Sequence, residues 1–372
     1  MSQTREAPIL RRRKNDLPHD IVLNILTRLP AKSVIRFRCV CKTWDSSITT
    51  PYFISTHLNN LAHDHDNGDG DGYIIHMPWR TRDTVNSSNR PVCTVAFDRT
   101  FDRISEVEIP FDFPSGRALI VGSCNGTRKF KRLPDSCLGK LGFVKLGFAY
   151  HSENNDYKVL RISSYPTVRP PMPDEIEVYS LSSDSWRRVG MSLRANVNNS
   201  FFFPAPLVSG AWHWISRVVE GEEERKVELI MSFDVNSEEF RMLRMPDGVM
   251  SIVRFQTRLA SFKGKLAILT CGQSEQHGGC LCSIWVMREY GVLESWNKLF
   301  VVPFERLALC IGFTMYGSLL LRCSPSNNQA EKFVLVDTKT LHEKDLDIQQ
   351  PSCVATFMES LALLDGANMV SY

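Results

Sequence analysis

No stretch of this 372-residue chain holds the run of about eighteen apolar residues that a membrane-crossing helix needs. The first sixteen residues, MSQTREAPILRRRKND, lack the apolar segment of a secretory signal, so the protein is expected in the cytosol, the nucleus or both. Charge of one sign is also scarce. The 44 basic and 41 acidic residues leave a net charge of +3, too little for whole-molecule attraction to nucleic acid. Aromatic and basic residues are not interleaved densely enough for an RNA-stacking platform. Missing as well are a G-x-S-x-G nucleophile turn, a phosphate-binding loop and a dinucleotide fingerprint, since the glycines of 68–72 follow no strand. No catalytic residue and no cofactor is therefore expected. The eleven cysteines are odd in number and follow no framework spacing, as suits reduced thiols inside a cell.

Several patterns approach a metal or catalytic site and stop short. Asn67, Asp69 and Asp71 alternate with glycines like the opening of an EF-hand loop, but the twelfth position, where a bidentate glutamate belongs, is Pro78. His63 and His65, beside aspartates, are read as hydrated loop residues. Cys271, His277, Cys280 and Cys282 offer four zinc-type ligands. However, Cys280-Leu281-Cys282 is one residue tighter than C-x-x-C, and on an alternating strand its two cysteines share a face. Buried thiols are the simpler account, and no metal is expected. His213 stands between Trp212 and Trp214 without a carboxylate or nucleophile at any recognisable spacing. The basic cluster Arg11-Arg12-Arg13-Lys14 is read as a solvated tail, with nuclear import as the alternative, and GEEERK at 221–226 as a wet hairpin tip.

What is present begins with helices. Pro18 suits the first helical position and Asp20 the first turn. Leu17, Ile21, Ile25 and Leu29 recur at four-residue spacing, and Val22 and Leu26 widen that stripe. Pro30 stops this helix, and a second starts at about Ala31 with Val34, Phe37, Val40 and Cys41 as its apolar side. Trp44 and Ile48 mark a short third helix that Pro51 ends. Three helices within 17–53 make a core too small to be comfortable alone, so a partner is expected. The order leucine-proline, helix, leucine-proline, helix, then Val40-Cys41-Lys42-Thr43-Trp44 resembles the F-box motif. That resemblance implies docking on the Skp-type adaptor of a cullin–RING ubiquitin ligase. It puts the family's contact positions on Leu17, Pro18, Ile21, Leu29, Pro30, Val40 and Trp44.

After a polar, Gly/Asp/His-rich loop at 57–72, the period changes to two. Strands are expected at 94–97, 104–109, 141–150, 157–163 and 175–181, followed by a Ser-Ser-Asp-Ser turn into Trp186. The same phrase of strand, strand, polar turn and strand recurs three more times. Its last strands open at Phe240, Trp296 and, in the fourth copy, Leu341. The openers Trp186, Phe240 and Trp296 are about 55 residues apart, a period that fits propeller blades of the kelch type better than the alternative of an irregular sandwich.

A second resemblance covers about 121–341. Ser123-Cys124-Asn125-Gly126, Gly147-Phe148-Ala149-Tyr150, Glu177-Val178-Tyr179, Trp212-His213-Trp214, Ser232-Phe233-Asp234 and Ile284-Trp285-Val286-Met287 are similar, in order, to the F-box-associated domain of a large plant family. One departure stands out: Arg128, Phe130, Leu133 and Pro134 follow Gly126 almost at once, as if a strand or two were absent. The expected architecture is α+β and multidomain: a basic tail (1–16), a three-helix F-box (17–56), the polar loop (57–72) and a mainly β, propeller-like (kelch-like) domain (73–372). The two resemblances together imply a substrate-recognition subunit of an SCF-type E3 ubiquitin ligase. Such a subunit is a non-catalytic adaptor that meets cullin and RING subunits through the Skp-type protein and holds an unidentified protein target on its β domain, with neither nucleic acid nor membrane as partner. A propeller-fold binding module acting outside a ligase, and a propeller-fold enzyme, are the alternatives.

Overall fold

Proline punctuates the N-terminal helices much as expected, with a shift of one residue at the start. In a computed structural model of the chain, α1 spans His19–Leu26, and Pro18 is its cap rather than its first residue, with φ −50° and ψ 140°. The Pro18 carbonyl accepts the Ile21 and Val22 N–H groups at 3.1 Å. The described residues are 17–29, 31–50, 52–54, 56–57, 60, 73–78, 92–97, 103–109, 131–137, 143–151, 154, 156–164, 175–190, 195–197, 205–220, 225–249, 254–273, 280–304, 308–314, 317–323, 332–346 and 352–357. Helix α2 is Ala31–Phe37 and α3 is Lys42–Ile48. Val40 and Cys41, expected on the apolar side of α2, instead fall beyond its end, Val40 in the connecting turn and Cys41 at the cap of α3. Helical backbone resumes at 52–54 and 56–57, past the point where Pro51 was expected to close the helical part.

Alternating apolar residues then build antiparallel strands. Among the described residues they form five sheets in a propeller arrangement. The first sheet joins β1 (Tyr73–Pro78), β2 (Val92–Phe97) and β3 (Arg103–Glu108), and β21 (Ser352–Phe357) pairs with β1 from Tyr73↔Phe357 to Pro78↔Ser352. One sheet thus draws its strands from both ends of the β region, and β21 also contacts β17 of the fifth sheet. The second contains β4 (Phe143–His151), β5 (Asp156–Ser164), β6 (Glu175–Ser180) and β7 (Ser185–Val189). The third contains β8 (Ala195–Val197), β9 (Leu207–Val208), β10 (Ala211–Glu220), β11 (Arg225–Asp234) and β12 (Phe240–Arg244). The fourth runs β13 (Arg254–Phe262), β14 (Lys265–Gln273), β15 (Cys280–Met287), β16 (Trp296–Phe304). The fifth runs β17 (Ala308–Phe313), β18 (Leu319–Cys323), β19 (Lys332–Val336), β20 (Glu343–Leu346).

Contacts between successive sheets are made chiefly by the leading strands β9, β13, β17 and β21. Apolar clusters fill those joints: Trp212, Trp214 and Phe233 against Leu160 and Ile176 between the second and third sheets, and Leu269, Ile284 and Val302 against Leu319 and Leu321 between the fourth and fifth. Polar staples add to them. Glu238, at the tip of the β11–β12 hairpin, accepts from Lys158 of β5 at 3.0 Å and from Arg187 of β7. Desolvation raises the Glu238 carboxyl, but the hydrogen bonds from Arg187 and Lys158 outweigh it and hold the group below its ordinary range.

The aromatic openers lie where the period put them. Trp186 pairs across the strands with Tyr179, Phe240 with Phe233, and Trp296 with Met287. Leu341 does not open a strand. It sits at φ 59° two residues before β20, the position that Glu238 (φ 57°) occupies before β12, and Asp184 (φ 48°) is left-handed directly before β7. In two of these turns the leading aspartate makes the bend: Asp234 Oδ1 accepts the N–H of Asn236 and Ser237, and Asp337 Oδ1 that of Lys339 and Thr340.

Arg11 to Lys14, the aspartate-glycine loop, the 221–224 hairpin tip, His277 and the Cys124-Asn125-Gly126 turn with its apparent deletion lie outside the described residues. Leu133 and Pro134 are described, and the Pro134 carbonyl accepts the Trp186 indole N–H at 2.9 Å.

Candidate docking surface

The N-terminal helices bury part of their apolar residues and leave the rest exposed. Leu26, Val34, Ile48, Phe53 and Ile54 are buried and form a shared core with half-buried Val22, Leu23, Leu29, Phe37 and Trp44. Outside that core stand Leu17 (61% exposed), Ile21 (45%), Ile25 (47%), Ile35 (42%), Val40 (59%) and Tyr52 (81%). Isolated exposed apolar residues are ordinary, but six in one small helical unit is a high density, and Leu17, Ile21 and Ile25 among them recur at four-residue spacing into and along α1.

Polar contacts fix the helices that carry these residues. His57 is buried, its ring stacked on Phe53, and its Nε2 lies 2.8 Å from the Leu29 carbonyl, so that nitrogen bears the proton. Burial pushes the ring below its ordinary pKa, against the raising effect of that hydrogen bond. Asn60 donates to Thr27 Oγ1 at 3.0 Å, His19 Nε2 meets Ser47 Oγ at 3.1 Å, and Arg38 pairs with Asp45 at 2.5 Å. The end of α1 is thereby tied to the segment that follows α3.

The helical unit is joined to the β domain through an aromatic seat. Phe148 and Tyr150 of β4, Tyr157 of β5 and Leu181 belong to the same apolar cluster as the helices. Tyr157, 4% exposed, stacks on Phe148 at 5.5 Å and lies 5.2 Å from Tyr150. Asp156 holds the base of the seat by accepting the Ser182 N–H and hydroxyl, each at 2.8 Å. A contact face on the helices is therefore carried in a defined orientation relative to the second sheet.

The positions singled out from the F-box resemblance separate into groups. Leu17, Pro18, Ile21 and Val40 are exposed. Leu29 and Trp44 are half-buried in the unit's own core, with Trp44 edge-on to Phe37 at 5.7 Å, and Pro30 lies outside the described residues. Ile35 and Tyr52 are exposed and were not singled out. Ile35 neighbours Val34, which is fully buried, and helical spacing alone separates their faces; Tyr52 directly follows Pro51, where the third helix is expected to end.

Family models match both parts of the chain: an F-box domain over residues 15–56 and an F-box associated beta propeller domain over residues 84–361. The chain belongs to the F-box proteins with an F-box-associated β-propeller domain. Relatives of this F-box protein in Arabidopsis thaliana include F-box protein CPR1, 29% identical over 324 residues that cover 77% of this chain and 73% of that protein. F-box protein At3g07870 is 26% identical, covering 76% and 71% respectively. Putative F-box protein At5g15660 is 22% identical across 95% of this chain and 82% of its own length. Two of the motifs read from the sequence also meet in space. Gly147 and Trp212 meet across the joint of the second and third sheets, where a Cβ on the glycine would lie 2.7 Å from the indole Cδ1.

Proposed function

We propose that this F-box protein is the substrate-recognition subunit of an SCF-type ubiquitin ligase. The carrying observation is the set of exposed apolar residues Leu17, Ile21, Ile25, Ile35, Val40 and Tyr52 on a helical unit whose other apolar side chains are packed in a core. Membership of the F-box family supports a Skp-type adaptor as the partner that covers these residues, and through it the cullin and RING subunits. The β domain then holds a protein target in the cytosol or nucleus. The chain itself performs no bond chemistry. Its contribution is effective concentration: a tethered target lysine meets the charged ubiquitin carrier in a nearly intramolecular step. The Phe148–Tyr150–Tyr157 seat favours such a role because it fixes the direction in which the β domain points from the adaptor.

The test is adaptor binding by the full-length chain and by Ile21→Glu and Leu17→Glu variants. Both residues are exposed, so folding stability should change by no more than about 0.5 kcal/mol. A charge buried at an interface centre should cost about 2 kcal/mol or more, roughly a 30-fold loss of affinity. Binding undiminished in both variants refutes the assignment.

A further inference from the structure

Three buried thiols meet at the joint of the fourth and fifth sheets. Cys271 of β14 and Cys282 of β15 are directly opposite in the ladder, so their side chains share a face, and Cys310 of β17 reaches the same point from the neighbouring sheet. The Sγ atoms are 3.0 Å (271–282), 3.0 Å (271–310) and 2.9 Å (282–310) apart. All three residues are almost completely buried, among Leu269, Ile284, Val302 and Leu321. A lone buried cysteine behaves as a small hydrophobe. Three sulfurs converging from two sheets make a donor set.

We propose that Cys271, Cys282 and Cys310 form a closed three-thiolate site for one soft metal ion, cuprous copper, which clamps the fourth sheet to the fifth. Soft thiolates select cuprous copper and zinc, but a structural zinc ion takes four ligands in a tetrahedron. Among the described residues no histidine, aspartate, glutamate or further cysteine completes the group, and the burial leaves little room for water as a fourth ligand. A three-coordinate ion fits that set. Metal–sulfur bonds of about 2.3 Å in a trigonal plane put the sulfurs about 4 Å apart, so the triangle opens by about 1 Å when it is filled.

One of the three thiols is poised to ionise and two are not: hydrogen bonds from the Cys282 and Cys310 thiols, with the nearby Arg258 guanidinium, pull the Cys271 thiol below its ordinary value, while hydrogen bonding to Cys271 and burial push the Cys282 and Cys310 thiols up. Arg258 is itself nine-tenths buried, and its Nη1 donates to the Cys310 carbonyl at 2.5 Å. Binding displaces the remaining thiol protons to solvent as three sulfur–copper bonds form, with no change of oxidation state.

The test uses the full-length chain, reduced and free of metal, titrated without oxygen with cuprous ion against a competing chelator, and separately with zinc. One equivalent of copper per chain, a thiolate-to-copper absorption band, a raised melting temperature and weaker zinc binding are expected. Cys310→Ser should weaken copper binding by more than ~100-fold, beyond the loss from removing a mere supporting residue, whereas the exposed pair Cys39→Ser/Cys41→Ser should leave it unchanged. If Cys310→Ser does not fold, X-ray absorption on the unsubstituted copper-loaded chain decides: three sulfurs at about 2.3 Å support the site, and a shell with nitrogen, oxygen or fewer sulfurs overturns it. Tighter zinc than copper binding, or copper binding that survives Cys310→Ser, also overturns it.

Discussion

Gly147→Ala is expected to weaken the joint between the second and third sheets. The new Cβ would stand 2.7 Å from Trp212 Cδ1 and 2.8 Å from its Nε1, closer than real Cβ contacts come. Trp212 has no room to yield, because it is fully buried and its ring is stacked on Phe233 at 6.1 Å. Overpacking of this kind costs about 1–3 kcal/mol. Against it stands a gain of about 0.4–1 kcal/mol from restricting the unfolded chain, since Gly147 does not have the positive φ that alanine would resist. The net loss should be about 1–2 kcal/mol. The neighbouring Phe148 belongs to the seat of the helical unit, so a displaced β4 should also disturb the F-box. Urea unfolding of the parent, Gly147→Ala, Trp212→Phe and the double variant forms a cycle that isolates the contact. The smaller ring should admit the methyl group, so the double variant should be more stable than the sum of the single effects by about 1 kcal/mol. Unaltered stability of Gly147→Ala, or strict additivity, refutes the reasoning.

Acid should weaken the third sheet through His213, which burial pushes down to about 4 from an ordinary 6.5. The unfolded chain takes up that proton first, so its contribution is complete above pH 6.5 and is lost as pH falls toward 4, for a total of about 3 kcal/mol. Melting temperatures from pH 7.5 downward should show that slope, and His213→Asn should flatten it. Leu341→Asn should stabilise the fifth sheet by about 0.5–1 kcal/mol by relieving a left-handed leucine, a gain readable as a raised unfolding midpoint. Tyr157→Ala should loosen the helical seat by about 3–5 kcal/mol, with faster amide exchange in α1–α3 and little change in the fourth and fifth sheets.

Helices α1–α3 were legible because proline placement and four-residue spacing are local properties. So were the outer hairpins, whose polar turns and aromatic openers repeat. The leading strands β9, β13, β17 and β21 were not read. These strands contact neighbouring sheets, so one such as β13 carries Arg258 buried among apolar residues and shows no clean apolar-polar alternation. Leu341 was misplaced for a related reason. Its hairpin bends around Asp337, and the strand resumes two residues later at Glu343.

The chain's order of residues determined by itself that a small helical unit precedes a β domain, that this unit is richer in apolar surface than a free fold needs, and that Cys280 and Cys282 share a strand face. Those facts follow from periods of 3.6 and 2 along a single segment. Only the tertiary structure decided which apolar residues stay exposed, with Trp44 turned partly inward and Tyr52 outward. It alone brought Cys310 to Cys271 and Cys282 and seated the helices on Tyr157. Contacts between segments far apart in sequence depend on how whole sheets stack, and no local period encodes that packing.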